Sequence, residues 1–103
     1  MSGWQDNENR AVCALYFEMV DCANRGVKYS KAGMIRNYQA GPLAARSKGS
    51  IEAKLMNVSA VCRDVGAPAD LSMETRGYKC APHYQKSLVG FVCDELHKYA
   101  RAA

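Results

Sequence analysis

The sequence predicts an all-α fold: a compact bundle of four main helices with a helix-turn-helix-like central part and a long loop before the last helix. Three observations carry that prediction. Apolar residues recur at helical spacing in four separate stretches, most clearly as Ile51, Leu55, Val58, Cys62 and Val65. Stop signals divide those stretches at Gly26, Gly41-Pro42 and Gly66-Ala67-Pro68. With 103 residues, 49% of them hydrophobic, the chain reads as one domain able to bury a core.

The first helix is predicted from Trp4 to Asn24, with Val12, Leu15, Tyr16, Met19, Cys22 and Ala23 on its apolar side. Acids in its opening turn suit the helix dipole, and Trp4 would staple it to the core. A second helix is expected over Ser30–Gln39, capped by Ser30 and ended by Gly41-Pro42. Arg46-Ser47-Lys48-Gly49 reads as a loop, and Ser50 as the N-cap of a third helix that stops at Gly66. Its outer face (Ala53, Asn57, Ala60, Asp64) is small and flat, suited to a crossing helix, a groove or a homodimer contact. Residues 67–82 are long for a featureless connection. A final helix follows from His83 to Ala100, where Gly90 suggests a close crossing.

No apolar run approaches the ~18–20 residues of a membrane span, and the opening MSGWQDNENR is polar and acidic. A chain without membrane contact, signal peptide or transit peptide is therefore expected in the cytoplasm. Five cysteines, without a C-x2-C pair, argue against a disulfide framework and against zinc. Cys13, Cys22, Cys62 and Cys93 read as small core hydrophobes, and Cys80 lies in the loop.

Charge is unevenly placed. Residues 1–21 hold one base and four acids, residues 22–51 six bases and no acid, and residues 52–103 seven bases and six acids. An acid-free basic stretch is the footprint of a phosphate-backbone partner, although a solvated loop and helix face would give the same composition. The bases sit where a phosphate is best met. The first N–H groups of a helix lack internal partners and carry partial positive charge. Arg46, Lys48 and the hydroxyls of Ser47 and Ser50 would add cations and donors at the start of the third helix. Lys54 on the flank and Asn57 on the outer face could reach further, Asn being able to pair with an adenine edge. Lys28, Lys31 and Arg36 would extend the footprint, and Tyr78 and Lys79 could contact bases or a protein partner.

Enzymatic constellations are weak. His83 and His97 have no spacing that ties them to a nucleophile or metal cluster, Asp94 and Glu95 point apart on a helix, and no glycine-rich phosphate loop is present. No catalytic residue, metal or cofactor is assigned, and the chain is not read as an enzyme.

Several segments taken together resemble a known domain: Trp4, Glu8, Tyr16-Phe17 and Met19; Tyr29-Ser30-Lys31-Ala32; Arg46-Ser47-Lys48-Gly49-Ser50-Ile51-Glu52 with Lys54 and Asn57-Val58-Ser59-Ala60-Val61; Gly66-Ala67-Pro68; Gly77-Tyr78-Lys79; and Tyr84-Gln85 with Leu88. Their order resembles the small helical domain at the N-terminus of some bacterial HNH-type and restriction-like endonucleases, also found in uncharacterised bacterial proteins and Myb- or helix-turn-helix-like. The likeness spans residues 4–88, and RSKGSIE with NVSAV is its most specific part. Leu55 and Met56 depart from its pattern, and Ala69–Arg76 stands as an insertion. The resemblance implies DNA or defence-related recognition, with nuclease chemistry in another domain.

The expected function is thus non-catalytic nucleic-acid binding, DNA ahead of RNA, in a restriction or defence setting. The alternative is a phage or mobile-element inhibitor that occupies a host defence protein complex, using the loop 67–82 and the acidic face of the first helix (Asp6, Glu8, Glu18, Asp21).

Overall fold

Helix boundaries follow local capping chemistry. Helix α1 (Asp6–Asn24) opens where the Gln5 amide donates to the Glu8 carboxylate at 2.9 Å, half of a capping box. It ends at Gly26, whose φ of +68° lets Val27 N–H return to the Cys22 carbonyl. Helix α2 (Lys31–Gln39) is capped as predicted by Ser30, whose hydroxyl accepts from Gly33. Helix α3 (Lys48–Asp64) starts earlier than the sequence suggested. Its N-cap is Ser47, which accepts the Ser50 amide at 3.1 Å, so Ser50 lies within the first turn. It closes at Gly66 (φ +73°) as α1 does, with Ala67 N–H on the Cys62 carbonyl. Helix α4 (Ser87–Ala102) begins four residues after His83, because Pro82–Lys86 stays irregular and Tyr84 donates to Asp64 at 2.7 Å.

The computed structural model describes residues 3–102, with side chains through Tyr99. Among the described residues there is no strand, and the only other helical piece is a 3-10 turn at Ala69–Leu71. The radius of gyration, 12.7 Å, matches the ~13 Å of a folded chain this long.

Helix α1 lies at the centre and touches every other element. Val12, Leu15, Tyr16, Phe17, Met19 and Val20 on α1 meet Ile51, Leu55, Val58 and Val61 on α3, with Leu88 and Val92 from α4. Residues 58–62 of α3 are all buried, so Ala60 of the small-residue face packs inside, while Ala53 and Asp64 are exposed and Asn57 is half-buried. Helix α3 is a central strut. The connection from α2 to α3 has eight residues, Ala40–Ser47, against the three or four of a helix-turn-helix, and Leu43 anchors it in the core.

The long segment before α4 is packed down. Met73 is buried, and its amide donates to the Tyr16 hydroxyl at 2.7 Å. Gly90 is exposed with open space where a Cβ would stand, so no close crossing occurs there. Cys13 and Cys62 are buried and Cys22, Cys80 and Cys93 half-buried, all as free thiols. Among the described residues, no helix is long and apolar enough to cross a membrane.

Candidate nucleic-acid interface

The predicted grip on phosphate divides into two parts. The first points inward. Arg46 donates from Nε and Nη2 to the two carboxylate oxygens of Glu8, at 2.9 and 2.7 Å, and from Nη2 to the Gly3 carbonyl at 2.8 Å. Its guanidinium lies 4.8 Å from the centre of the Trp4 ring. The pairing holds the Glu8 carboxyl below its usual range and raises the Arg46 guanidinium. Three of five guanidinium N–H groups are therefore committed, and Arg46 is a strut between α1 and α3. Lys54 follows it inward, only 7% exposed, with Nζ 5.0 Å from the same indole. Neither residue belongs to an open phosphate site. The sequence could not show this, because Glu8 lies 38 positions from Arg46 and falls by helical spacing on the acidic face of α1. Asp21 stays on the surface, in an exposed pair with Arg25 at 3.1 Å.

The second part gathers elsewhere. The Ser30 cap fixes Lys31 in the first turn of α2, and the Lys31 ammonium donates to the Arg76 carbonyl and lies 5.4 Å from the centre of the Tyr78 ring. Between those two residues stands Gly77 with φ +118°, where a Cβ would collide with the Lys31 ammonium. Only glycine meets both demands. The loop is moored from behind: Arg76 Nη2 donates to Asn24 Oδ1, and Asn24 Nδ2 to the Asp70 carbonyl, each at 2.8 Å.

Tyr78 is 5% exposed, so it serves as the floor of this place and cannot stack on a base. Its phenol is pushed up to about 12, first by burial and then by the charges of Glu52 and Tyr29. The loop also reaches α3, where the Ala81 amide donates to the Met56 carbonyl at 3.1 Å. Lys48 and Glu52 stand one helical turn apart on α3 and share a face. Ser47 takes the Ser50 amide, leaving the amides of Lys48 and Gly49 to solvent, and nothing lies within 4 Å of where a Gly49 Cβ would be. Lys28, Lys48 and Lys79 are exposed, and none has an ion-pair partner among the described residues.

Of the predicted site residues, Lys28, Lys31, Tyr78 and Lys79 thus lie at or beside one cluster, with Ser47, Lys48 and Ser50 at the adjoining end of α3. Arg36 is exposed and lines an open cleft of about 440 Å³ with Glu18, Tyr29, Ser30, Met34 and Asn37, so it borders the cluster without joining its contacts. Asn57 is half-buried on α3. Tyr29, Glu52 and Gly77 carry the resemblance but, like Arg76, were not among the expected site residues. Their signal was the two short motifs around Lys31 and Tyr78, which nothing in their spacing joins.

Among the described residues, no group of three or more His, Cys, Asp or Glu could hold a metal ion. No protein-family model, curated protein or solved structure matches the chain.

Proposed function

We propose that the chain is a non-catalytic nucleic-acid-binding domain that holds backbone phosphates with Lys28, Lys31, Lys48 and Lys79. The observation that carries this reading is the meeting of Tyr29-Ser30-Lys31 with Gly77-Tyr78-Lys79. Three lysines without acidic partners and two free helix amides there match the demands of a phosphate chain. With Ala60 of the small-residue face and Tyr78 both buried, the contacts go to the backbone, and binding tolerates sequence. DNA is the partner proposed, in a restriction or defence setting, with any nuclease chemistry in another domain.

The test is a titration of labelled duplex DNA at several salt concentrations. Changing Lys48 and Lys79 together to Gln should weaken binding to every sequence and reduce the salt slope by about one per lysine removed. Arg36→Gln, on a different side of α2, should leave the slope in place. A double variant that overlays the parent at all salt concentrations removes this site. If the parent itself binds no duplex and instead stays on a host protein complex after nuclease digestion, the inhibitor reading replaces it.

A further inference from the structure

The open cleft between α1 and α2 takes no part in holding phosphate, yet it lies beside the residues that do. At about 440 Å³ it falls within the ~300–1,000 Å³ of small-molecule sites. Tyr29 lines it, and in the chain Tyr29 stands between Lys28 and Lys31, parted from Lys31 only by Ser30. Cys22 of α1 and Met34 of α2, both half-buried, give the cleft an apolar wall. Its lining carries one acid, Glu18, and one base, Arg36, so its charge is balanced and suits a neutral occupant. Asn37 adds an exposed amide, which both donates and accepts. An aromatic ring, an apolar wall and such an amide together match a flat heterocycle with polar edges.

We propose, resting on the phosphate reading above, that this cleft takes an unpaired nucleobase from the strand whose phosphates Lys28 and Lys31 hold. The proposal adds the form of DNA preferred: a duplex with an extrahelical base over a continuous one. A paired base keeps its faces against its neighbours in the stack, so only a nucleotide swung out of the helix fills the cleft. Its phosphate stays on the flanking lysines, and its ring meets Tyr29, one or two residues away along the chain. Stacking on a tyrosine is open to all four bases, because each has a π-face. The Asn37 amide likewise meets a donor or an acceptor. Binding therefore distinguishes unpaired from paired DNA while it tolerates sequence.

Three labelled duplexes of one sequence are titrated at several salt concentrations: a continuous one, one with an extra thymidine on one strand, and one with an abasic residue in that place. The two bulged duplexes carry the same phosphates and differ only in the base. The thymidine bulge should bind several-fold tighter than the other two, with a salt slope equal to that of the abasic bulge. Tyr29→Leu, with circular dichroism confirming the fold, should remove the preference and leave the slope in place. Equal affinity for the two bulges, with the salt dependence intact, overturns the base site and leaves the phosphate reading standing. A preference that survives in folded Tyr29→Leu also overturns this cleft as the seat of the base. Absence of binding to all three duplexes overturns both readings together. Should the variant fail to fold, the parent's comparison of the two bulges decides.

Discussion

The Tyr16 hydroxyl joins three parts of the chain. It contacts Ser59 of α3 at 2.8 Å and Ser72 of the loop at 3.3 Å, and it accepts the Met73 amide at 2.7 Å. Tyr16→Phe keeps the ring but leaves a buried amide and a buried serine without their partner. Such groups cost about 1–3 kcal/mol each time one is stranded, and the variant should lose stability in that range, measured as a lowered midpoint in urea. A midpoint equal to the parent's would mean that the loop does not depend on this oxygen. The sequence identified Tyr16 as apolar core from its helical spacing, which was right for its ring. Its hydroxyl partners, 43 to 57 positions away, leave no local trace. The same distance hid the Glu8 partner of Arg46, whereas the Ser30 cap was legible because its acceptor and donor are three residues apart.

At the level of elements, termini marked by glycine were legible, while the start of α3, with two serines in reach, was not. Gly26 and Gly66 end α1 and α3 where predicted, since both adopt the positive φ that other residues avoid. Ser47 and Ser50 both precede the apolar run of α3, and either could cap it by sequence alone. Leu43, buried in the connection, allows the chain to turn into the helix earlier, and Ser47 becomes the cap. Ser47→Ala should therefore cost about 1 kcal/mol, while Ser50→Ala, which removes no cap, should change the thermal midpoint little. The reverse order would return the N-cap to Ser50. Met73, in the segment with no helical pattern, is the other element-level surprise. Its side chain is fully buried, so Met73→Ala should cost about 2–5 kcal/mol, read from the same denaturation curves. A cost as small as that of a surface position would mean that the segment closes over the lost volume.

For the whole molecule, the basic excess of the sequence is a poor guide to its surface until internal pairs are removed. Residues 22–51 carry six bases, but Arg46 and Arg25 are matched with acids from α1, and Lys31 is tied to the Arg76 carbonyl. The pairing also sets how the fold responds to pH. Glu8 is held below the ordinary carboxylate range, chiefly by its bonds from Arg46, and Asp64 chiefly by Arg63 and then Tyr84. A carboxyl lowered in the folded state contributes stability that is fully present above its unfolded value and lost as pH falls through the folded one. Protonation on the acid side also raises the net charge above the +4 of neutral pH and adds self-repulsion. Stability should thus hold near neutrality and decline through the carboxylate range and below it. Glu8→Gln keeps the shape of the side chain but removes the titrating group. Its urea midpoint should lie below the parent's at neutral pH, and the gap should narrow in acid as the parent loses the same charge. A gap of constant size from neutral to acid would show that the ionisation of Glu8 does not set the difference, and that Arg46 is held without its charge partner.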